Sequence, residues 1–116
     1  MVEAFLAASR GGDFDALVAV LDPDVVLRAD SGAEPGSGPR VVRGAKAVAG
    51  QARAFSARSR FTRVALIDGE AGLITAPRGR LFGALLFKTE RGKVTGITVI
   101  TDPARLGELE LATLPD

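Results

Sequence analysis

The chain has 116 residues, of which 47 % are hydrophobic and 25 % charged, with a net charge of +1. That length and composition suit one globular domain over residues 1–116 with a real core, and the near-neutral balance gives no bulk electrostatic pull toward nucleic acid. There is no Cys, His, Tyr or Trp, which excludes disulfides, ordinary zinc or transition-metal sites and histidine-dependent triads, so no metal and no cofactor is expected.

No apolar run approaches the roughly 20 residues that cross a bilayer. The N-terminal stretch carries Glu3 and Asp13 and lacks a basic leader, so it reads as a helix and not as a signal peptide. A cytoplasmic protein without membrane contact is expected.

In chain order, Val2, Phe5 and Leu6 share a helical face, and Gly11-Gly12 stops that helix. Asp13 then stands as an N-cap before Phe14, Leu17, Val18 and Leu21, whose spacing predicts a second helix ended by Asp22-Pro23. VVLRA, residues 25–29, is a strand of strong β formers, followed by the glycine- and proline-rich loop SGAEPGSGP at 31–39. A third helix is expected over 44–57, with Ala45, Val48, Ala49, Ala52 and Phe55 on one face. The period then changes. FTRVALI and GLITA read as one hairpin about Asp68-Gly69. RLFGALLFK and KVTGITVIT read as a second about Arg91-Gly92. Asp102-Pro103 breaks the last strand, and ARLGELELATL is a weak amphipathic turn or short helix.

The order α-α-β-α-β-β-β-β, with short turns between strands, is that of an α+β fold with a largely antiparallel sheet. A curved sheet with helices on one face leaves a concavity where pockets form. On the fourth strand, alternation places Leu81, Gly83, Leu85 and Phe87 on one face and Phe82, Ala84 and Leu86 on the other. Both faces are apolar, which points to a homodimer through the sheet.

The run FLAASRGGDFDALVAVLDPDVVLRAD, the later RGAKAV and the succession of strands resemble the SnoaL-like, nuclear transport factor 2-like superfamily of cone-shaped domains. The resemblance covers nearly the whole chain and implies three helices packed on a curved, mostly antiparallel sheet. Within it, the chain is most similar to the C-terminal SnoaL-like domain of a group of extracytoplasmic-function sigma factors. Those domains carry Asp-Gly-Gly-Gly after the first strand, matched here by Asp30, Ser31, Gly32 and Ala33. They end near Asn-Pro-Asp-Lys-Leu, matched here by Asp102, Pro103, Ala104, Arg105 and Leu106. The first, third and fourth positions of the second motif differ, and Arg for Lys keeps the charge.

The resemblance implies a regulatory or ligand-sensing domain that contacts the sigma core or RNA polymerase and modulates transcription initiation. It implies contact through Asp30, Ser31, Gly32, Asp102, Pro103, Arg105 and Leu106. The sigma regions that bind polymerase and promoter are not in this chain, so an excised domain or a stand-alone relative is expected.

The alternative is an enzyme or carrier for a small hydrophobic molecule, resembling the ketosteroid isomerases or polyketide cyclases of the superfamily. Asp30 falls on the isomerase general-base position. The oxyanion donors of that family map onto Phe5 and Ala84, and neither side chain can donate a hydrogen bond. Losing one such donor raises a barrier by on the order of 3 kcal/mol, so a non-enzyme is expected. The cyclases use a histidine, which is absent. Phe5, Asp30, Phe55, Ala84 and Leu86 are the candidate pocket residues. GSGPR lacks the Lys-Ser/Thr of a phosphate loop and reads as plain loop. Arg53, Arg58, Arg60 and Arg63 read as a solvated helix end, with no direct nucleic-acid contact expected.

Overall fold

The computed structural model describes residues 2–30, 40–54, 61–76 and 81–113. The first helix, α1 (Val2–Gly11), buries Val2, Phe5, Leu6, Ala8 and Ser9. It ends where Gly12 takes a φ of +62° and the amides of Gly12 and Asp13 return to the carbonyls of Ser9 and Ala8. That is a Schellman stop, which needs a residue tolerant of left-handed backbone. Asp13 caps α2 (Phe14–Val20) by accepting from the Ala16 amide at 3.1 Å.

Asp22-Pro23 does not end the second helix as expected. The helix stops at Val20, and β1 (Leu21–Ala29) begins with the next residue. Leu21 is buried and pairs with Val94, so packing on the sheet overrides its helical spacing. The pairing resumes only at Val26, and the irregularity between absorbs Pro23. The short strand β2 (Arg40–Arg43) falls between the expected loop and the expected third helix, where no element was expected. It pairs antiparallel with β1 at the sheet edge. The third helix, α3 (Ala45–Ala54), buries Val48, Ala49 and Ala52. Residues 55–57 of the expected helix lie outside the described residues.

The strands β3 (Thr62–Ile67) and β4 (Glu70–Thr75) form the first expected hairpin, and β5 (Gly83–Glu90) and β6 (Lys93–Ile100) form the second. Their two-residue turns have positive φ at both positions, 51° and 86° at Asp68-Gly69 and 53° and 76° at Arg91-Gly92. These are type I′ turns, whose twist matches that of the strands. The tail forms a fourth helix, α4 (Pro103–Leu106), and a further strand, β7 (Leu111–Thr113), where the sequence suggested one weak turn or helix.

The seven strands run β2-β1-β6-β5-β4-β3-β7, antiparallel except for the parallel β1–β6 pair. The architecture is the expected α+β, with four helices in place of three and seven strands in place of five. Residues of α1, α2 and α3 share one core with Val25, Leu27, Leu73 and Ile97 on one face of the sheet. On the other face a second core joins Ala65, Ile67, Ile74, Ala84 and Ile100 to Leu106 of α4, with Leu109 and Leu111 packed against it. The sheet-to-sheet dimer was expected because both faces are apolar. The chain's own C-terminal segment packs against part of this second face through Leu106, Leu109 and Leu111.

Candidate functional site

The strand registers set the inner face of the sheet in ranks. One rank runs Val64–Leu73–Leu85–Val99–Ala29 across five strands. The next, nearer the strand ends at Asp30, runs Thr62–Thr75–Gly83, with Thr101 beside Gly83. The first rank is apolar. The second carries hydroxyls, and Thr62 and Thr75 bond to one another at 2.8 Å. Period-two alternation turns all these residues toward the helices.

Between the two ranks and the helices lies a cavity of about 120 Å³. Phe5 and Leu6 of α1, Ala52 of α3, Leu27, Leu73, Leu85 and Val99 make it mostly apolar. Phe5 meets Phe87 edge-on, with ring centroids 5.1 Å apart. Phe82, 45 % exposed, lines it from just before β5. The polar lining comes from Ser9, Gln51, Thr62, Thr75 and Thr101, and among the described residues that line it none carries a charge. Ser9 lies one helical turn beyond Phe5, on the same face. Its hydroxyl is buried and has no hydrogen-bond partner among the described residues. The end of α1 is held over the sheet by Arg10, whose guanidinium donates to the Thr62 carbonyl at 2.6 Å.

Asp30 sits at the end of β1 and is not part of the cavity lining. Its carboxylate accepts from the Thr101 amide at 3.1 Å, the Thr101 hydroxyl at 3.0 Å and the Asp102 amide at 3.2 Å. Arg105 adds an ion pair at 3.5 Å. The Asp30 side chain is 8 % exposed and that of Arg105 50 %. Asp102 in turn caps α4 by accepting from the Ala104 amide at 3.2 Å, with Pro103 in the first turn. Asp30 thus latches the end of β1 to the start of α4. A general base must reach the proton it takes, and these oxygens accept from the amide and hydroxyl of Thr101 and the amide of Asp102.

The expected pocket set is therefore divided. Phe5 lines the cavity. Asp30 stands beyond it, linked through Thr101. Phe55 lies outside the described residues. Ala84 and Leu86 belong to the second core, on the opposite face of the sheet. Alternation along β5 sets Ala84 and Leu86 opposite Leu85 and Phe87, and it is the latter pair that packs with the helices. The cavity-facing neighbours of Ala84 are Gly83 and Leu85, and neither side chain donates a hydrogen bond. Leu81 also departs from the expected faces and packs with the second core, whereas Phe82 turns to the cavity. Alternation holds only within the strand, and these two residues precede it.

Of the expected contact set, the latch joins Asp30 to Asp102 and Arg105. Pro103 and Arg105 are exposed. Leu106 is a correction: it is 6 % exposed and packs under the sheet, because the cap at Asp102 turns the next apolar residue inward. Ser31 and Gly32 lie outside the described residues, as do Arg58, Arg60 and most of GSGPR. The sequence reading missed Ser9, Gln51, Thr62, Thr75 and Thr101. The hydroxyl-bearing residues two before Val64 and two after Leu73 were the one available signal. Among the described residues no acidic cluster could hold a metal ion, and no helix is long and apolar enough to cross a membrane.

A sequence model described as the SnoaL-like domain matches residues 2–101. The extracytoplasmic function sigma factor SigJ of Mycobacterium tuberculosis is similar in structure, with a TM-score of 0.73 at 27% identity over 90% of this chain. The match spans 42% of that sigma factor, so this chain corresponds to less than half of its length. An NTF2-like protein of unknown function from Cytophaga hutchinsonii has a TM-score of 0.53 at 18% identity, covering 92% of this chain and 91% of that one. A cystatin-like protein from Silicibacter pomeroyi has a TM-score of 0.61 at 16% identity, covering 90% and 74%. The last two likenesses are of fold, and the fold is NTF2-like, also called cystatin-like. No curated protein matches the chain.

Proposed function

We propose that this chain, which belongs to the SnoaL-like domain family, is a non-catalytic regulatory and ligand-sensing domain of an extracytoplasmic-function sigma factor. It modulates transcription initiation by contact with the sigma core or with RNA polymerase, and so acts in the cytoplasm. The similarity to SigJ supports the partner class. The observation that carries the reading is the latch. Asp30 engages the backbone of Thr101 and Asp102 and the side chain of Arg105, so the one carboxylate at an isomerase-base position is a structural clasp. The clasp brings Asp30, first residue of one family motif, against Asp102 and Arg105 of the other, and Pro103 and the half-exposed Arg105 are open to solvent, which supports this contact surface.

The test is binding of this domain to the separately produced sigma core. Arg105→Glu removes the cation and is expected to weaken binding about tenfold or more, as loss of a charged contact does. Unchanged binding would count against this surface. The cavity is the feature that favours a carrier or isomerase instead. Turnover of a ketosteroid-type substrate, lost in Asp30→Asn, would replace the non-catalytic reading with that one.

A further inference from the structure

We infer that the cavity binds a small neutral molecule with an apolar body and a single hydroxyl or carbonyl group, and that Thr101 transmits its occupancy to the Asp30–Arg105 latch. This rests on the ligand-sensing reading above and names the ligand class and the coupling.

Size comes first. A cavity of about 120 Å³ is of the same order as the roughly 150 Å³ apolar cavity that takes up benzene, which sets a ligand about the size of a single six-membered ring. Charge comes second. The described lining residues carry no charge, so among them an ionic ligand finds no counter-charge and a neutral one is favoured. Polarity comes third. The buried Ser9 hydroxyl has no partner among the described residues and belongs to a residue that lines the cavity, so it is a donor and acceptor held in place for one polar group. The Thr62–Thr75 pair and Gln51 complete a polar end against an apolar floor of Leu73 and Leu85.

The coupling follows from one shared residue. Thr101 lines the cavity, and its amide and hydroxyl both donate to Asp30. A molecule that touches Thr101 therefore bears on the bonds that hold Asp102 and Arg105. By reciprocity, whatever engages Arg105 from outside must alter affinity in the cavity by the same factor.

The test is a titration of the ¹⁵N-labelled chain with phenol, toluene and benzoate, read by amide shifts. Phenol should give saturable shifts at Ser9, Gly83 and Thr101 that extend to Asp102 and Arg105. Toluene should bind roughly fivefold more weakly, for want of one neutral hydrogen bond, and benzoate should not bind. Ser9→Ala should abolish the preference for phenol over toluene. Thr101→Val, close to the same shape, should keep phenol binding and lose the shift at Arg105. No saturable shift with phenol or toluene in the folded chain would overturn the inference. So would binding of benzoate as tight as phenol, an unchanged preference in Ser9→Ala, or an unchanged Arg105 shift in Thr101→Val. These readouts need no sigma core. Cavity binding without any contact to the sigma core would sustain this inference while removing the regulatory reading. Arg105-dependent contact with a cavity that takes neither probe would overturn it alone.

Discussion

Asp30 holds Thr101 twice, at the amide and at the hydroxyl, across 71 residues of chain. One carboxylate thereby fixes the end of β1, the end of β6 and the entry to α4 at a single point. Buried N–H groups that lose a charged acceptor cost more than an exposed ion pair does. Asp30→Ala should therefore lower unfolding stability by about 2–3 kcal/mol in urea. Arg105→Ala should change it by less than about 1 kcal/mol, because half of that side chain is in water. Equal losses from the two variants would show that the ion pair, and not the backbone bonds, carries the latch.

Leu106 is a packing residue of the second core. Leu106→Ala should cost about 2–4 kcal/mol by cavity formation, whereas an exposed contact residue would cost almost nothing. Chemical unfolding measures this directly. A loss under about 0.5 kcal/mol, the range of ordinary surface substitutions, would return Leu106 to the surface.

Ser9 offers a prediction of opposite sign. Its hydroxyl is buried without a partner among the described residues, so Ser9→Ala removes a desolvated polar group and inserts a better helix former. The melting temperature should hold or rise, by the equivalent of up to about 1–2 kcal/mol. A clear drop would mean that the hydroxyl is bonded within the fold and is not available to a ligand.

Gly72 in β4 has no room for a side chain. A Cβ there would stand 2.6 Å from the Leu85 carbonyl oxygen and 2.7 Å from Ile67 Cδ1. The isoleucine can shift, but the carbonyl belongs to the β4–β5 ladder. Gly72→Ala should cost about 1–3 kcal/mol, as overpacking does. Calorimetry that finds wild-type stability would show that the two strands separate freely at this point.

The features legible in the sequence were those whose cause is local. Gly11-Gly12, Asp13, Asp68-Gly69 and Arg91-Gly92 act through their own backbone angles and nearest amides, so the helix stop, the cap and both hairpins follow from a few consecutive residues. Alternation within β5 likewise separates Leu85 and Phe87 from Ala84 and Leu86. Which of those faces meets α1, α2 and α3 and which meets α4 is set by tertiary packing on the two sides of the sheet. The edge strands β2 and β7 form because a neighbour supplies their hydrogen bonds, and RVVR or LAT alone carries too little pattern to announce them. Asp30 was visible as a carboxylate at the end of a strand. Its role as a clasp was set by donors 71 and 72 residues away, which the fold alone brings within hydrogen-bonding distance. Ser9 differs from any other helical serine only through the cavity wall that assembles against it from β3, β4, β5 and α3.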